Sequence, residues 1–128
     1  MSVTQTIDTD DRVVDIDITG ADQLFGFRRR IELPVARINR AHAETGKDAR
    51  SDLKLRLSGV RLPGTATTIG YFRGRRAARQ WWSVHHGGKV LVIDLDADAA
   101  FDRIVVEVPD ADAAAARITS AIAEPPQA

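Results

Sequence analysis

The sequence predicts a mainly β domain closed by one C-terminal α-helix. Three observations carry that expectation. Short segments between Arg12 and Val108 alternate apolar and polar residues with period two. Glycine, proline or a polar loop cuts each of them off. An alanine-rich amphipathic stretch comes last. Strands first and a single helix last describe a small curled sheet sealed by a helix.

Residues 1–11 contain little to bury and read as a flexible acidic tail. Val14, Ile16 and Ile18 then share one face while Asp15 and Asp17 take the other, as in a half-buried antiparallel strand. Gly20-Ala21-Asp22 makes a turn. From Leu24 to Leu33, the residues Phe25, Phe27, Ile31 and Leu33 share a face that Arg29 interrupts, which suits a barrel mouth or a bulge. Pro34 ends this strand, because it cannot donate to a ladder. Val35, Ile38 and Ala41 fit helical spacing, but a short bent strand from Arg37 to Ala43 fits equally and matches its neighbours better. Glu44 to Ser51 reads as a loop.

Leu53, Leu55 and Leu57 alternate with Lys54, Arg56 and Ser58 in a clear strand. Gly59 to Thr65 is a turn region with its corner at Pro63-Gly64. Thr67 to Arg73 is the next strand, followed by an exposed basic loop from Gly74 to Ala78. Gln80 to His86 returns, with Trp82 and Val84 on one side and Trp81 and Ser83 on the other. Gly87-Gly88 signals a hairpin, since both residues take positive φ at little steric cost. Lys89 to Asp96 and Phe101 to Val108 are the last strands. Asp110 caps a helix that runs to about Ala123, with Ala114, Ala115, Ile118, Ala121 and Ile122 as its apolar stripe. Pro125-Pro126 stops it, leaving 124–128 as a disordered tail.

The chain of 128 residues fits one domain, residues 12–123, and its 44% hydrophobic content suffices for one core. There is no cysteine, so disulfides and thiolate metal sites are excluded. No apolar run spans a membrane, and the polar N-terminus has no signal-like apolar core, so a cytoplasmic protein is expected, with peripheral membrane association as the alternative. Charge is balanced overall but unevenly placed. Residues 1–22 carry net −5, residues 23–89 net +11 and residues 90–128 net −6. Such a chain is either two-signed or cancels its charges across the sheet.

Several segments carry a family resemblance. Gly59-Val-Arg-Leu-Pro-Gly-Thr65, Gly70-Tyr-Phe72, the pair Trp81-Trp82, and Asp102-Arg-Ile-Val-Val-Glu-Val108 before a terminal helix resemble bacterial pleckstrin-homology-like (PH-like) proteins, in particular an actinobacterial group. Gly26 to Pro34 is similar to that family's second strand. The resemblance covers residues 12–123. It implies a seven-stranded, strongly bent antiparallel barrel or sandwich with one end plugged by the C-terminal helix. Eukaryotic relatives bind phosphoinositides through a basic loop between the first two strands. Here that loop, Gly20 to Gln23, has no Lys or Arg.

The arginines are the best binding candidates. Arg28 and Arg30 share one side of a strand, and Arg73, Arg75, Arg76 and Arg79 crowd the loop before the tryptophans. Arginine forks suit carboxylate and phosphate. The competing reading is a solvated face paired with Asp15, Asp17 and Asp94. Regular alternation sends one tryptophan outward, and Trp81 takes that side as a contact residue beside the arginines. The competing reading packs it under the tail or the basic loop.

Chemistry is not legible. His85 and His86 diverge in a strand and cannot bind one metal. Asp94, Asp96 and Asp98 imitate a calcium loop, but Ala99 and Val105 stand where glycine and a bidentate glutamate belong. Nucleophile elbow, dinucleotide and phosphate-loop motifs are missing. The expectation is therefore a non-catalytic interaction module without cofactor. It would bind a protein segment or self-associate, with an anionic lipid surface as the alternative partner and nucleic acid ranked last.

Overall fold

The computed structural model of the protein describes residues 3–8, 13–18, 30–61, 68–84, 88–96, 99 and 101–123. Nine strands and two α-helices appear among them. They run β1 (Val3–Asp8), β2 (Val13–Ile18), β3 (Arg30–Pro34), a 3-10 turn (Val35–Arg37), β4 (Ile38–Thr45), α1 (Gly46–Arg50), β5 (Leu53–Arg61), β6 (Thr68–Gly74), β7 (Gln80–Val84), β8 (Lys89–Leu95), β9 (Arg103–Val106) and α2 (Ala111–Ala123).

The protein is mainly β with a C-terminal helix, as expected. The strands form two open sheets rather than one closed barrel. The smaller has the order β1-β2-β3 and the larger β4-β8-β9-β7-β6-β5. The larger sheet is also mixed. β9 lies parallel to β7, with Trp81 opposite Ile104, and antiparallel to β8, with Ile93 opposite Ile104. The expected all-antiparallel plan fails at that point. Gly88 does adopt the positive φ that its sequence context predicts, at 74°. Yet the turn it belongs to does not close a hairpin, because β9 sits between β7 and β8.

Three local expectations change. Residues 3–8, read as tail, form β1 against β2, with Ile7 opposite Val14. The Glu44–Ser51 loop contains α1, whose Asp48 N–H donates to Thr45 Oγ1 at 3.1 Å. β5 continues through Gly59 to Arg61. The bent strand after Pro34 is present as β4. The expectations for Gly20–Gln23, Leu24–Arg29, Pro63-Gly64, His85, His86, Gly87 and residues 124–128 fall outside the described residues.

The larger sheet is covered on both faces. On one side Trp81, Leu91, Ile93, Leu95, Ile104 and Val106 pack with Val14, Ile16, Ile31 and Leu33 of the smaller sheet and with Ala111, Ala114, Ala115, Ile118 and Ala121 of α2. On the other, Trp82, Val84, Val90, Val92 and Val105 pack with Phe72 and with Ala49 of α1. Strands buried on both faces lose their apolar–polar alternation. Val90–Ile93 and Ile104–Val106 are such runs. Helix α2 begins as expected, with the Ala113 N–H donating to Asp110 Oδ1 at 3.0 Å, and Thr119 Oγ1 donates to the Ala41 carbonyl of β4 at 3.3 Å. Among the described residues, no helix is long and apolar enough to cross a membrane.

Candidate functional site

The basic loop joins β6 to β7, and its backbone is tied down from below. Asp52, in the turn between α1 and β5, is 7% exposed and lies beneath it. Its carbonyl accepts the Arg75 N–H at 2.9 Å. Its carboxylate accepts the Arg76 N–H at 2.8 Å and the Gln80 Nε2 at 2.7 Å. Gln80 Nε2 also donates to the Ala77 carbonyl at 2.8 Å, and Gln80 Oε1 accepts the Trp82 indole N–H at 2.9 Å. Buried polar groups therefore link the loop to the tryptophan core, each with its partner supplied. Burial alone would push the Asp52 carboxyl up. The N–H groups of Arg76 and Ala77, the Gln80 amide and the Arg103 charge outweigh it and hold the carboxyl below its ordinary value of 3.8.

Gly74 makes this closeness feasible. A Cβ there would run into Gln80 Nε2 and Asp52 Oδ2 and stand 2.8 Å from the Ala77 carbonyl oxygen. Only glycine lets the end of β6 approach the clamp.

The clamped backbone presents its arginines unequally. Arg73, Arg75 and Arg76 are exposed. Among the described residues, none of their guanidiniums has an ion-pair partner. Arg79 differs. Its backbone N–H and Nε donate to Asp102 Oδ2 at 2.9 and 3.2 Å, and its Nη2 donates to Oδ1 at 2.8 Å. That fork holds the Asp102 carboxyl below its ordinary value and raises Arg79. Arg79 is thus paired with Asp102, a correction only to reading it as an unengaged loop arginine. Arg28 lies outside the described residues. Arg30 pairs in register with Asp17 across β2 and β3, in the smaller sheet.

Trp81 is also corrected. It is fully buried, as is Trp82. Alternation does send the two rings to opposite faces, but each face has its own cover, so neither ring reaches solvent. Trp82 stands edge-on to Phe72, with ring centroids 6.4 Å apart.

Beside the loop, a cleft of roughly 520 Å³ opens between Arg76–Ala78 and the β8 and β9 strands. Arg103 and Asp94 face each other in register across these strands, and Arg103 Nε donates to Asp94 Oδ1 at 2.6 Å. The Arg103 side chain is 12% exposed. Asp96 pairs with Arg37 at 3.7 Å. Asp94 and Asp96 are thus both engaged by arginines. His42 Nε2 bonds to Glu44 Oε2 at 2.5 Å on β4. Among the described residues, no group of three or more His, Asp or Glu is arranged to hold a metal.

Asp52, Gln80, Gly74, Asp102 and Arg103 were not singled out as site residues from the sequence. The Asp52 clamp and the Asp102–Arg79 fork join residues more than twenty positions apart, and Arg103 meets Asp94 only across two strands, so no local pattern announces them. Compared with known proteins, the chain matches no family model, no curated protein and no solved structure.

Proposed function

We propose that the protein is a non-catalytic interaction module that docks an acidic protein segment on the β6–β7 loop. The observation that carries this reading is the rigid presentation of Arg73, Arg75 and Arg76. All three are exposed and lack an acidic partner among the described residues, while a buried clamp fixes the backbone beneath them. Preorganised arginines lose less freedom on meeting a carboxylate than arginines on a loose loop. The nearby carboxylates of Asp52, Asp94 and Asp102 are already committed to donors, which favours a binding surface over acid–base chemistry. The resemblance to PH-like proteins enters this proposal only as a β scaffold followed by a C-terminal helix. The parallel β7–β9 pair has no place in that family's antiparallel plan.

An anionic membrane surface is the alternative, resting on the net +11 of residues 23–89. It is disfavoured because both tryptophans are buried, so neither serves as an interfacial anchor.

The test compares the wild-type chain with the double variant R75S/R76S. Fluorescence anisotropy with a labelled glutamate-rich peptide is read at low and high salt, beside flotation with phosphatidylserine vesicles. Salt-sensitive peptide binding that the double variant loses is expected. No peptide binding, or binding unchanged in the double variant, removes the reading. Vesicle binding without peptide binding moves the assignment to the membrane.

A further inference from the structure

We propose that the cleft beside the loop is a carboxylate receptor and that the Arg103 guanidinium is its floor. This rests on the docking reading above and names the anchor: one glutamate or aspartate side chain of the docked segment enters the cleft, while Arg75 and Arg76 hold its neighbours.

The geometry of Arg103 carries the inference. Its Nε is given to Asp94 at 2.6 Å. Its Nη1 stands 3.8 Å from Asp52 Oδ2, beyond hydrogen-bond length. The two Asp52 oxygens are already taken by the Arg76 N–H and the Gln80 amide. Among the described residues, neither Nη of Arg103 donates a hydrogen bond. The end of the guanidinium therefore keeps two donors that no hydrogen bond uses, and Arg103 is among the residues lining the cleft. Two such donors are the complement of one carboxylate. The Arg103 side chain is 12% exposed, so its charge is screened less than those of the exposed loop arginines. The cleft volume of roughly 520 Å³ accommodates a side chain and its attached backbone.

Charge selects the ligand class. Asp94 and Asp102 also line the cleft. A cation gains little from them, since each already accepts from an arginine. A phosphate dianion is repelled by them more strongly than a carboxylate monoanion. Arg76 on the rim offers the incoming group a second positive charge.

The test uses the full chain. Arginine Nε–Hε resonances are followed by NMR during titration with sodium acetate, with sodium chloride at equal ionic strength as control. The Arg103 resonance is expected to shift saturably with acetate and not with chloride. The glutamate-rich peptide should move the same resonance, and R103K should weaken that peptide about tenfold, the loss of one charge-assisted donor pair. An Arg103 resonance indifferent to acetate overturns the proposal. So does a folded R103K variant with wild-type peptide affinity. If R103K does not fold, the acetate titration on the wild-type chain still decides. The two readings fail separately. Peptide binding lost in R75S/R76S with an unmoved Arg103 resonance keeps the docking surface and removes the cleft receptor. A saturable acetate shift without peptide binding supports the receptor and removes the docking reading.

Discussion

Asp52 and Arg76 lie 24 residues apart in the chain, and the Asp52 carboxylate accepts the Arg76 backbone N–H at 2.8 Å. The bond spends no arginine charge. It fixes the peptide from which the guanidinium projects and leaves that guanidinium for a partner. Position and charge are thereby supplied by different atoms of the same residue.

Removing the clamp should be felt at a distance. Asp52→Ala strands the Arg76 N–H and removes one acceptor from the Gln80 Nε2, and should cost roughly 2–4 kcal/mol in urea unfolding. Hydrogen exchange at the Arg75 and Arg76 amides should speed up more than at Ile93, in the core of β8. Equal protection at all three amides would show that the loop is held by something else.

Gly74→Ala tests the same clamp from the other side. The added methyl meets Gln80, Asp52 and the Ala77 carbonyl. We expect a loss of about 1–3 kcal/mol, typical of overpacking, and a matching fall in Tm. Gly88→Ala gives a useful contrast. No atom stands within 4 Å of its Cβ, so its cost should come from the positive φ of 74° alone.

Acid should weaken the fold through Asp52 and Asp102. Both carboxyls are held below their ordinary value of 3.8 in the folded chain, Asp102 chiefly by its bonds from Arg79 and Asp52 by its N–H and amide donors against the opposing push of burial. A depressed folded pKa contributes stability that is fully present above the unfolded value and lost as pH falls through the folded one. Stability measured by urea unfolding should therefore hold above about pH 4 to 5 and decline below it. Asp102→Asn should flatten part of that decline, by a modest amount because the Arg79 pair is largely solvent-screened. A D102N profile parallel to wild type at every pH would contradict this assignment.

Tryptophan emission checks the two-faced core. With Trp81 and Trp82 both fully buried, emission should be blue-shifted and resist iodide quenching until the chain unfolds. Trp82→Phe keeps the packing against Phe72 but leaves Gln80 Oε1 without its donor, and should cost about 1–2 kcal/mol. Strong quenching of native Trp81 would restore the contact role that the fold denies it.

Local patterns were legible and distant pairings were not. Val14 and Ile16, the alternating leucines of β5, and the Ala/Ile stripe of α2 each announce their element, because the period of the side chains is a local property. Asp110 was legible as a cap for the same reason. Alternation alone sends one tryptophan to solvent, whereas the structure buries both faces, and only with that in view do the apolar runs Val90–Ile93 and Ile104–Val106 make sense as strands covered twice. The Asp52–Gln80 clamp and the Asp102–Arg79 fork join residues more than twenty positions apart, and no spacing rule brings them together. The basic loop itself was found, and the structure divides its arginines into those that hold the protein and those that are offered.

The insertion of β9 between β7 and β8 imposes an order on synthesis. β7 and β8 leave the ribosome first, run in opposite directions and are joined by a short connection containing Gly88. The β4-β8 and β7-β6-β5 parts of the sheet meet only through β9, so the two cannot be united before residues 103–106 pair with both.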